Sequence, residues 1–184
     1  SHACSAVAAW TLRLRFGTMA AVADRSNMHI ALGAVAGAIT WTAAEYATHR
    51  WVLHGPFGKG RLKHLPLGGV HRAHHRAPDA TSVAARAAGH VAVAASAAAA
   101  SIGLSMATST PLARSAAAAF AAGYSTYEIN HWNAHHRPAR TQWGERVRER
   151  HHRHHFGAPA SNLGVTIGFW DQVFGTEAPL QVAA

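Results

Sequence analysis

Twelve of the 16 histidines in this 184-residue chain fall into four short boxes, ten of them as candidate ligands, and the spacing within each box restricts how the chain can fold. HRWVLH supplies His49 and His54, and HRAHH supplies His71, His74 and His75. HWNAHH supplies His131 and His135 with His136 adjacent, and HHRHH supplies His151, His154 and His155 with His152 as an extra. Residues at i, i+3 and i+4 of a helix share a face, with Cβ atoms about 5–6 Å apart. HxxHH thus presents three imidazoles to one point, and HxxxH presents two. HRWVLH has an i, i+5 spacing that fits a regular helix less well, a difficulty eased if His54 sits at a frayed end before the Gly55-Pro56 break. Imidazole is a borderline ligand suited to iron, zinc, copper and nickel. Ten such ligands are too many for one ion and suit two, with room left for oxygen or water.

Three apolar, Ala-rich segments separate the boxes: about Asn27 to His54, residues 87–107, and residues 115–129 running on toward His131. With flanking turns, each approaches the 17 to 25 residues, roughly, of a membrane helix. TSTP at 108–111 reads as a tight connection, a Ser/Thr cap with Pro111 at the first helical position, that joins segments two and three into a hairpin. That connection carries no charge. Arg50, Lys59, Arg61, Lys63, Arg72 and Arg76 follow segment one, and six arginines between Arg137 and Arg153 follow segment three. A hairpin with its turn outside and both basic regions in the cytoplasm obeys the positive-inside bias. The expectation is an all-α integral membrane helical bundle with a cytoplasmic, His-rich helical cap holding a di-metal site. It occupies residues 27–177, between an unassigned segment 1–26 and a short tail 178–184. Residues 3–22 of the unassigned stretch look superficially like a signal region, but Arg13 and Arg15 interrupt their apolar run, where a signal peptide keeps its charge ahead of it.

Charged residues make up only 14% of the chain against roughly 25% in an ordinary soluble domain, while the formal net charge is +9. Net charge alone would suit nucleic acid, but the apolar segments and the lack of a recognised motif exclude that partner. GPFGKG at 55–60 misses the phosphate-loop spacing and reads as a plain loop. Cys4 is the only cysteine, which excludes an internal disulfide and cysteine-based zinc sites. His29, His64 and His90, outside the boxes, read as structural or solvated. A membrane metal carrier remains as an alternative, but transport favours polar ligands inside the spans, where only His29 and His90 stand.

A ligating imidazole usually donates its other N–H to a carboxylate or carbonyl. Glu45 lies four residues before His49, Glu128 three before His131, and Asp79 four after His75, so each is placed to orient a box. The alternative for each is a helix-end charge paired to an arginine. Tyr46 and Tyr127 sit beside the first two. Trp41, Trp51, Trp132 and Trp170 are placed to line a chain path or to anchor the interface.

The order HX4H, HX2HH, HX3H(H), HX2HH resembles the membrane fatty acid hydroxylase / sterol desaturase superfamily. The surrounding text agrees: EYATHRWVLHG, VHRAHHRAPDA, YEINHWNAHH, and RHHRHHFGAPASNLGVTIGFWDQVFGT, in which an aspartate and FGT close the pattern. The resemblance covers roughly residues 40–177 and implies a non-haem di-metal enzyme that uses O2 and two electrons to oxidise a lipid chain. Carried over, the metal ligands are His49, His54, His71, His74, His75, His131, His135, His151, His154 and His155. His136 makes the third box readable as HX4H as well, so His135 and His136 stay open. Two iron ions are implied, with zinc a possible substitute, together with an external electron donor: a ferredoxin, or a b-type cytochrome with its reductase. Carotenoid ring hydroxylases carry related boxes but generally lack the DQVFGT-like tail; they and the lipid desaturases are the alternatives inside the superfamily.

Overall fold

The computed structural model of the protein describes residues 2–56, 59–62, 67–80 and 83–178; side chains are described from residue 22 onward, except at 67, 79 and scattered positions between 83 and 101. Helix α1 runs His2–Ala47 and passes directly into a π-helical turn, Thr48–Leu53. The first proline of the chain is Pro56, so no residue before it removes a backbone donor from the helix. Helix α2 is Leu67–Arg76, α3 is Val83–Ala107, α4 is Thr110–His136, α5 is Gln142–Phe156 and α6 is Phe169–Val173. No strand occurs among the described residues.

Several expectations shift at the element ends. Segment one is continuous from His2, so the unassigned N-terminal stretch is helical as far as its backbone is described. Pro111 stands second in α4, after Thr110, and Ser109 occupies the N-cap, but its hydroxyl makes no capping bond. The frayed end expected at His54 is instead the ordered close of the π turn, where His54 N–H donates to His49 O at 3.0 Å.

Backbone proximity holds the long helices together. A Cβ placed on Gly33 would come 2.3 Å from Leu112 O, and one on Gly37 would come 2.1 Å from Ala116 O. Both glycines let α1 cross α4 at a distance that no side chain permits, the close approach typical of small-residue interfaces between membrane helices. Further along the same contact, Gly123 leaves room for the Trp41 ring, which would lie 2.4 Å from an added Cβ. Trp41 then meets Phe120 and Tyr124 edge-on, with centroids 5.3 and 5.5 Å away. Helix α3 packs on the other side of α4. Helix α5 starts at a Thr141 cap that accepts Gly144 N–H at 3.0 Å, and folds back on α4 where His152 and Arg148 both bond Ala134 O.

Burial is distributed unlike that of a soluble core. Among the described residues the buried apolar side chains are few (Trp41, Tyr46, Ala113, Ala134, Leu163 and Val165), whereas Glu45, His49, His71, His151, His154, His155, Asn162 and Asp171 are all buried. Large apolar side chains of α1, including Ile30, Leu32, Val35 and Ile39, point outward. Among the described residues one helical stretch, Val22–Leu53, is long and apolar enough to cross a membrane, with mean hydropathy 1.2. Helices α3 and α4 are about 37 and 40 Å long at 1.5 Å per residue, and among the described residues α3 contains a shorter apolar stretch, Ala98–Ala107.

Gly37→Leu is expected to destabilise the fold by about 1–3 kcal/mol, because overpacking this crossing forces the two backbones apart. Gly103→Ala, where an added Cβ meets nothing within 4 Å, should change stability by less than about 1 kcal/mol. Thermal unfolding of both variants in detergent checks the contrast.

Candidate metal centre

The four boxes meet at one end of the α1–α4 pair, opposite the α3–α4 connection, and their ring nitrogens sort into two groups. His49, His54, His71, His75 and His154 form one; His74, His131, His135, His151 and His155 form the other, and within each the ligand atoms lie within 4.8 Å of one another. The three imidazoles of an HxxHH box therefore do not share one point. His71 and His75, four apart on α2, face the first group while His74 faces the second; His151 and His155, four apart on α5, face the second while His154 faces the first. Each HxxHH box thus contributes to both groups, while His49 and His54 belong only to the first and His131 and His135 only to the second. The rings of His75 and His155 stack across the divide at 4.1 Å and 9°. His135 belongs to the second group. His136 belongs to neither and lies against Trp132 with ring centroids 3.7 Å apart.

The π turn is what brings His49 and His54 into one group. In an α-helix five residues advance roughly 140° beyond a full turn, at 3.6 residues per turn. An i→i+5 bonded turn closes that gap, and such turns recur at functional sites. The result is a 5.0 Å separation between the two ring centroids.

The protonation pattern shows that these residues fit a cation. His49 Nδ1–H donates to Leu163 O at 2.5 Å and His154 Nδ1–H donates to Ser161 O at 2.9 Å, which leaves both Nε2 lone pairs facing inward. His71 Nε2 lies 3.0 Å from His49 Nε2, 2.9 Å from His54 Nε2 and 3.0 Å from His75 Nε2. A neutral imidazole nitrogen carries at most one proton, so at most one of those three contacts is a hydrogen bond donated by His71, and lone pairs crowd the rest. Nitrogen ligands at 2.0–2.1 Å from a shared ion stand roughly 3 Å apart at right angles, and these spacings match that value. In the second group, His131 and His74 are 2.8 Å apart, as are His151 and His135. Both nitrogens of His155 and Nδ1 of His151 are buried with no hydrogen-bond partner. A cation supplies the missing partner for one of the two His155 nitrogens, since each ring offers one ligand atom to the group.

Burial also keeps the rings neutral, as metal binding requires. It holds His154 down to about 2, reinforced by the neighbouring His49, and holds His54 down to about 4, reinforced by His75. His71, His151 and His155 lie far below the ordinary imidazole range for the same first reason, burial, followed by repulsion from adjacent histidines.

Glu45 acts differently from the direct imidazole contact expected of it. Glu45 Oε1 accepts the backbone N–H groups of Val165 (2.5 Å) and Thr166 (2.9 Å), so it anchors the loop whose Leu163 carbonyl receives His49. It supports His49 at one remove, because the π turn aims that ring at the loop. Glu128 accepts from Tyr124 OH at 3.3 Å, while Tyr127 stacks on His131 with an interplanar angle of 7°. The side chain of Asp79 lies outside the described residues. Among the tryptophans, Trp41 is buried, Trp51 is half exposed, and Trp170 Nε1–H donates to Thr42 Oγ1 at 3.1 Å.

Asp171, which is not among the candidate site residues of the sequence, is fully buried. One oxygen accepts Leu163 N–H (2.8 Å) and Thr176 Oγ1–H (2.8 Å); the other accepts Gly164 N–H (2.9 Å) and Arg150 Nη2–H (2.9 Å). Arg150 in turn pairs with Glu177. Asp171 and Glu45 therefore grip the same loop, 161–166, which orients two histidines of the first group. The aspartate of the DQVFGT tail is the signal that could have pointed to it. Beside this group opens a cavity of about 520 Å³ lined by Trp41, Phe120, Tyr124 and Tyr127, with Glu45, His49 and Glu128 at its polar end.

The fatty acid hydroxylase family matches residues 34–176, and the chain belongs to that family. It is similar to two dihydroceramide fatty acyl 2-hydroxylases of Arabidopsis thaliana. FAH2 is 26% identical over 158 residues, covering 80% of this chain and 61% of that protein; FAH1 is 29% identical over 154 residues, covering 77% and 59%. A solved structure of full-length scs7p, in which only the hydroxylase domain is visible, matches with TM-score 0.67 and 25% identity over 84% of this chain and 60% of that one. The chain thus spans about 60% of the length of these relatives.

Asp171→Asn is expected to cost about 1–3 kcal/mol, because an amide donor replaces an oxygen that accepts buried N–H groups of the loop, while Arg150 keeps Glu177. Faster amide exchange at Leu163 and Gly164 should accompany the loss. Glu149→Gln, which removes an exposed i, i+4 pair with Arg153 at 3.8 Å, should cost less than about 0.5 kcal/mol.

Proposed function

We propose that this chain hydroxylates a lipid acyl chain, inserting one oxygen atom of O2 into an unactivated C–H bond. The overall balance is R–H + O2 + 2 e⁻ + 2 H⁺ → R–OH + H2O. The observation that carries the reading is the position of His49, which belongs to the first histidine group and also lines the apolar cavity of about 520 Å³. A chain lying in that cavity has its C–H bonds next to the metal ligands. The relatives' action on the 2-position of a dihydroceramide acyl group suggests an N-acyl lipid as substrate class.

The ten histidines of the two groups would hold two iron ions, five rings to each, with zinc able to occupy the same nitrogens. Iron bound there supplies the reductive activation of O2. The protein's own residues do the rest. Trp41, Phe120, Tyr124 and Tyr127 hold the chain and exclude water from the reacting end. Glu45 and Asp171, through loop 161–166, fix the direction of His49 and His154. Electrons come from an external protein, a ferredoxin or a b-type cytochrome, whose acidic surface suits the basic rim.

The helix Val22–Leu53 crosses the membrane with its outward apolar side chains against lipid, and α3 and α4 cross as a hairpin. The boxes then face the cytoplasm, where Lys59, Arg61, Arg72, Arg76 and the arginines of α5 gather.

Lipid profiling of cells expressing the chain or its His154→Ala variant tests this proposal. The expected result is an acyl lipid that gains one oxygen atom only with the unaltered chain; loss of two hydrogens instead would make the enzyme a desaturase. If no lipid changes mass, the enzyme reading fails, and two bound metals without any product would favour a carrier. The five-and-five division is checked by metal content. His71→Ala and His74→Ala, three residues apart, should each lose about one metal equivalent, and the double variant should lose both.

A further inference from the structure

A second cavity, of about 440 Å³, lies between the end of α4 and the start of α5. It is separate from the proposed chain cavity. Asn130, Asn133 and Arg137 follow each other at helical spacing on one face of α4, and the wall of the chain cavity (Phe120, Tyr124, Tyr127) lies on another. We propose that this second cavity binds phosphate and holds the headgroup of an anionic phospholipid at the rim of the bundle.

Three observations support the proposal. The first is charge: Arg137, Arg140 and Arg148 all line the cavity, and no Asp or Glu does. The ion pairs of α5 are made by Arg150 and Arg153. Arg137 and Arg140 have no carboxylate partner among the described residues, and Arg148 bonds a carbonyl, Ala134 O at 3.3 Å. Guanidinium groups match phosphate through paired N–H donors, and a dry or partly dry cavity strengthens such charge-assisted bonds.

The second observation is a missing acceptor. Asn130 lines this cavity, and its Nδ2 is buried with no hydrogen-bond partner. A buried donor without a partner costs about 1–3 kcal/mol, and an anion in the cavity provides the acceptor. The first turn of α5, at Thr141 and Gly144, borders the same space, and the positive end of a 15-residue helix adds to the attraction.

The third observation is depth. Arg137 follows His135 by two residues, and the histidine groups join that end of α4 to the end of the stretch Val22–Leu53. The cavity therefore sits where that stretch would leave the membrane, which is the level of lipid phosphates. Trp143, 50% exposed, lines the cavity, the position that interfacial tryptophans occupy. The assignment rests on the membrane placement given above and not on the hydroxylase reaction.

Binding to the metal-loaded full chain in neutral detergent tests it, with native mass spectrometry as the readout. The probes are phosphatidylglycerol, diacylglycerol with the same chains, and inorganic phosphate. Phosphatidylglycerol should bind, diacylglycerol should not, and millimolar-range phosphate should compete. Arg137→Gln/Arg140→Gln should weaken phosphatidylglycerol binding on the order of tenfold or more, from about 1 kcal/mol per lost charge. Arg61→Gln/Arg146→Gln, an equal loss of charge outside the cavity, should leave it unchanged. Asn130→Asp, which adds a negative charge inside the cavity and keeps every arginine, should weaken it as well and serves if the arginine pair does not fold. Equal binding by diacylglycerol, no loss in the cavity variants, or the same loss in the outside pair would overturn the site. Inorganic phosphate binding as tightly as the lipid would overturn the lipid assignment and make a soluble phosphate the ligand. Hydroxylase activity is not the readout, so its absence would leave this result intact.

Discussion

Ten imidazoles cannot hold each other at 3 Å. Neutral rings with Nδ1 protonated present bare lone pairs to their neighbours, and protonated rings would repel still more strongly in a buried site. The convergence of His49, His71 and His154 must therefore be imposed by the rest of the fold, or repaid by a cation. The fold imposes it through the loop that receives His49 and His154. The box helices α2, α4 and α5 are short or end at the site, so they depend on the α1–α4 contact at Gly33 and Gly37 for position. A bound ion would then return the energy spent in crowding the rings, which links folding of the cap to metal binding.

The imposed part runs through backbone carbonyls rather than through carboxylates touching the histidines. Loop 161–166 has no regular structure of its own and passes through the buried interior, where free N–H groups are costly. Glu45 takes two of them and Asp171 takes two more. Asn162 adopts a positive φ of 53°, a conformation asparagine tolerates better than most residues. With its donors satisfied, the loop turns the Ser161 and Leu163 carbonyls toward His154 and His49. Two carboxylates thereby orient two metal-facing rings without bringing negative charge into contact with them. A carboxylate bonded directly to each ring would make it more basic; a carbonyl fixes the tautomer with less change in ligand strength.

Much of the site was legible in the sequence because spacing on a helix survives folding. The i, i+3, i+4 pattern places HRAHH and HHRHH on helix faces, and α2 and α5 supply those faces. Spacing does not reveal how a face is divided. The rings of His71 and His74 point at different groups because they flank the boundary between two helices, a tertiary fact. The i, i+5 interval of HRWVLH was a real irregularity, and its resolution by a π turn rather than a frayed end needed the tertiary pull of the other rings on His49 and His54. Gly33 and Gly37 form a small-xxx-small pair whose close crossing was readable in principle. The roles of Glu45 and Asp171 were not, since their partners are backbone groups more than a hundred residues away in one case and in an irregular loop in the other.

His49 ties these constraints together. It is the residue where the apolar helix becomes the metal cap: its backbone begins the bonding that closes the π turn, its Nδ1 reads the loop, its Nε2 faces the first group, and its side chain borders the chain cavity. A regular α-turn at this point would rotate either His49 or His54 away from the group. The extra residue of the π turn thus keeps the ligand set and the cavity mouth in register, and Trp41, two turns earlier on the same helix, fills the groove at Gly123 that sets the cavity wall. The first histidine group and the apolar cavity are both positioned by one helix and the α4 surface it crosses. A displacement of either therefore moves both together, so a ligand in the cavity would keep a constant distance from the histidine group.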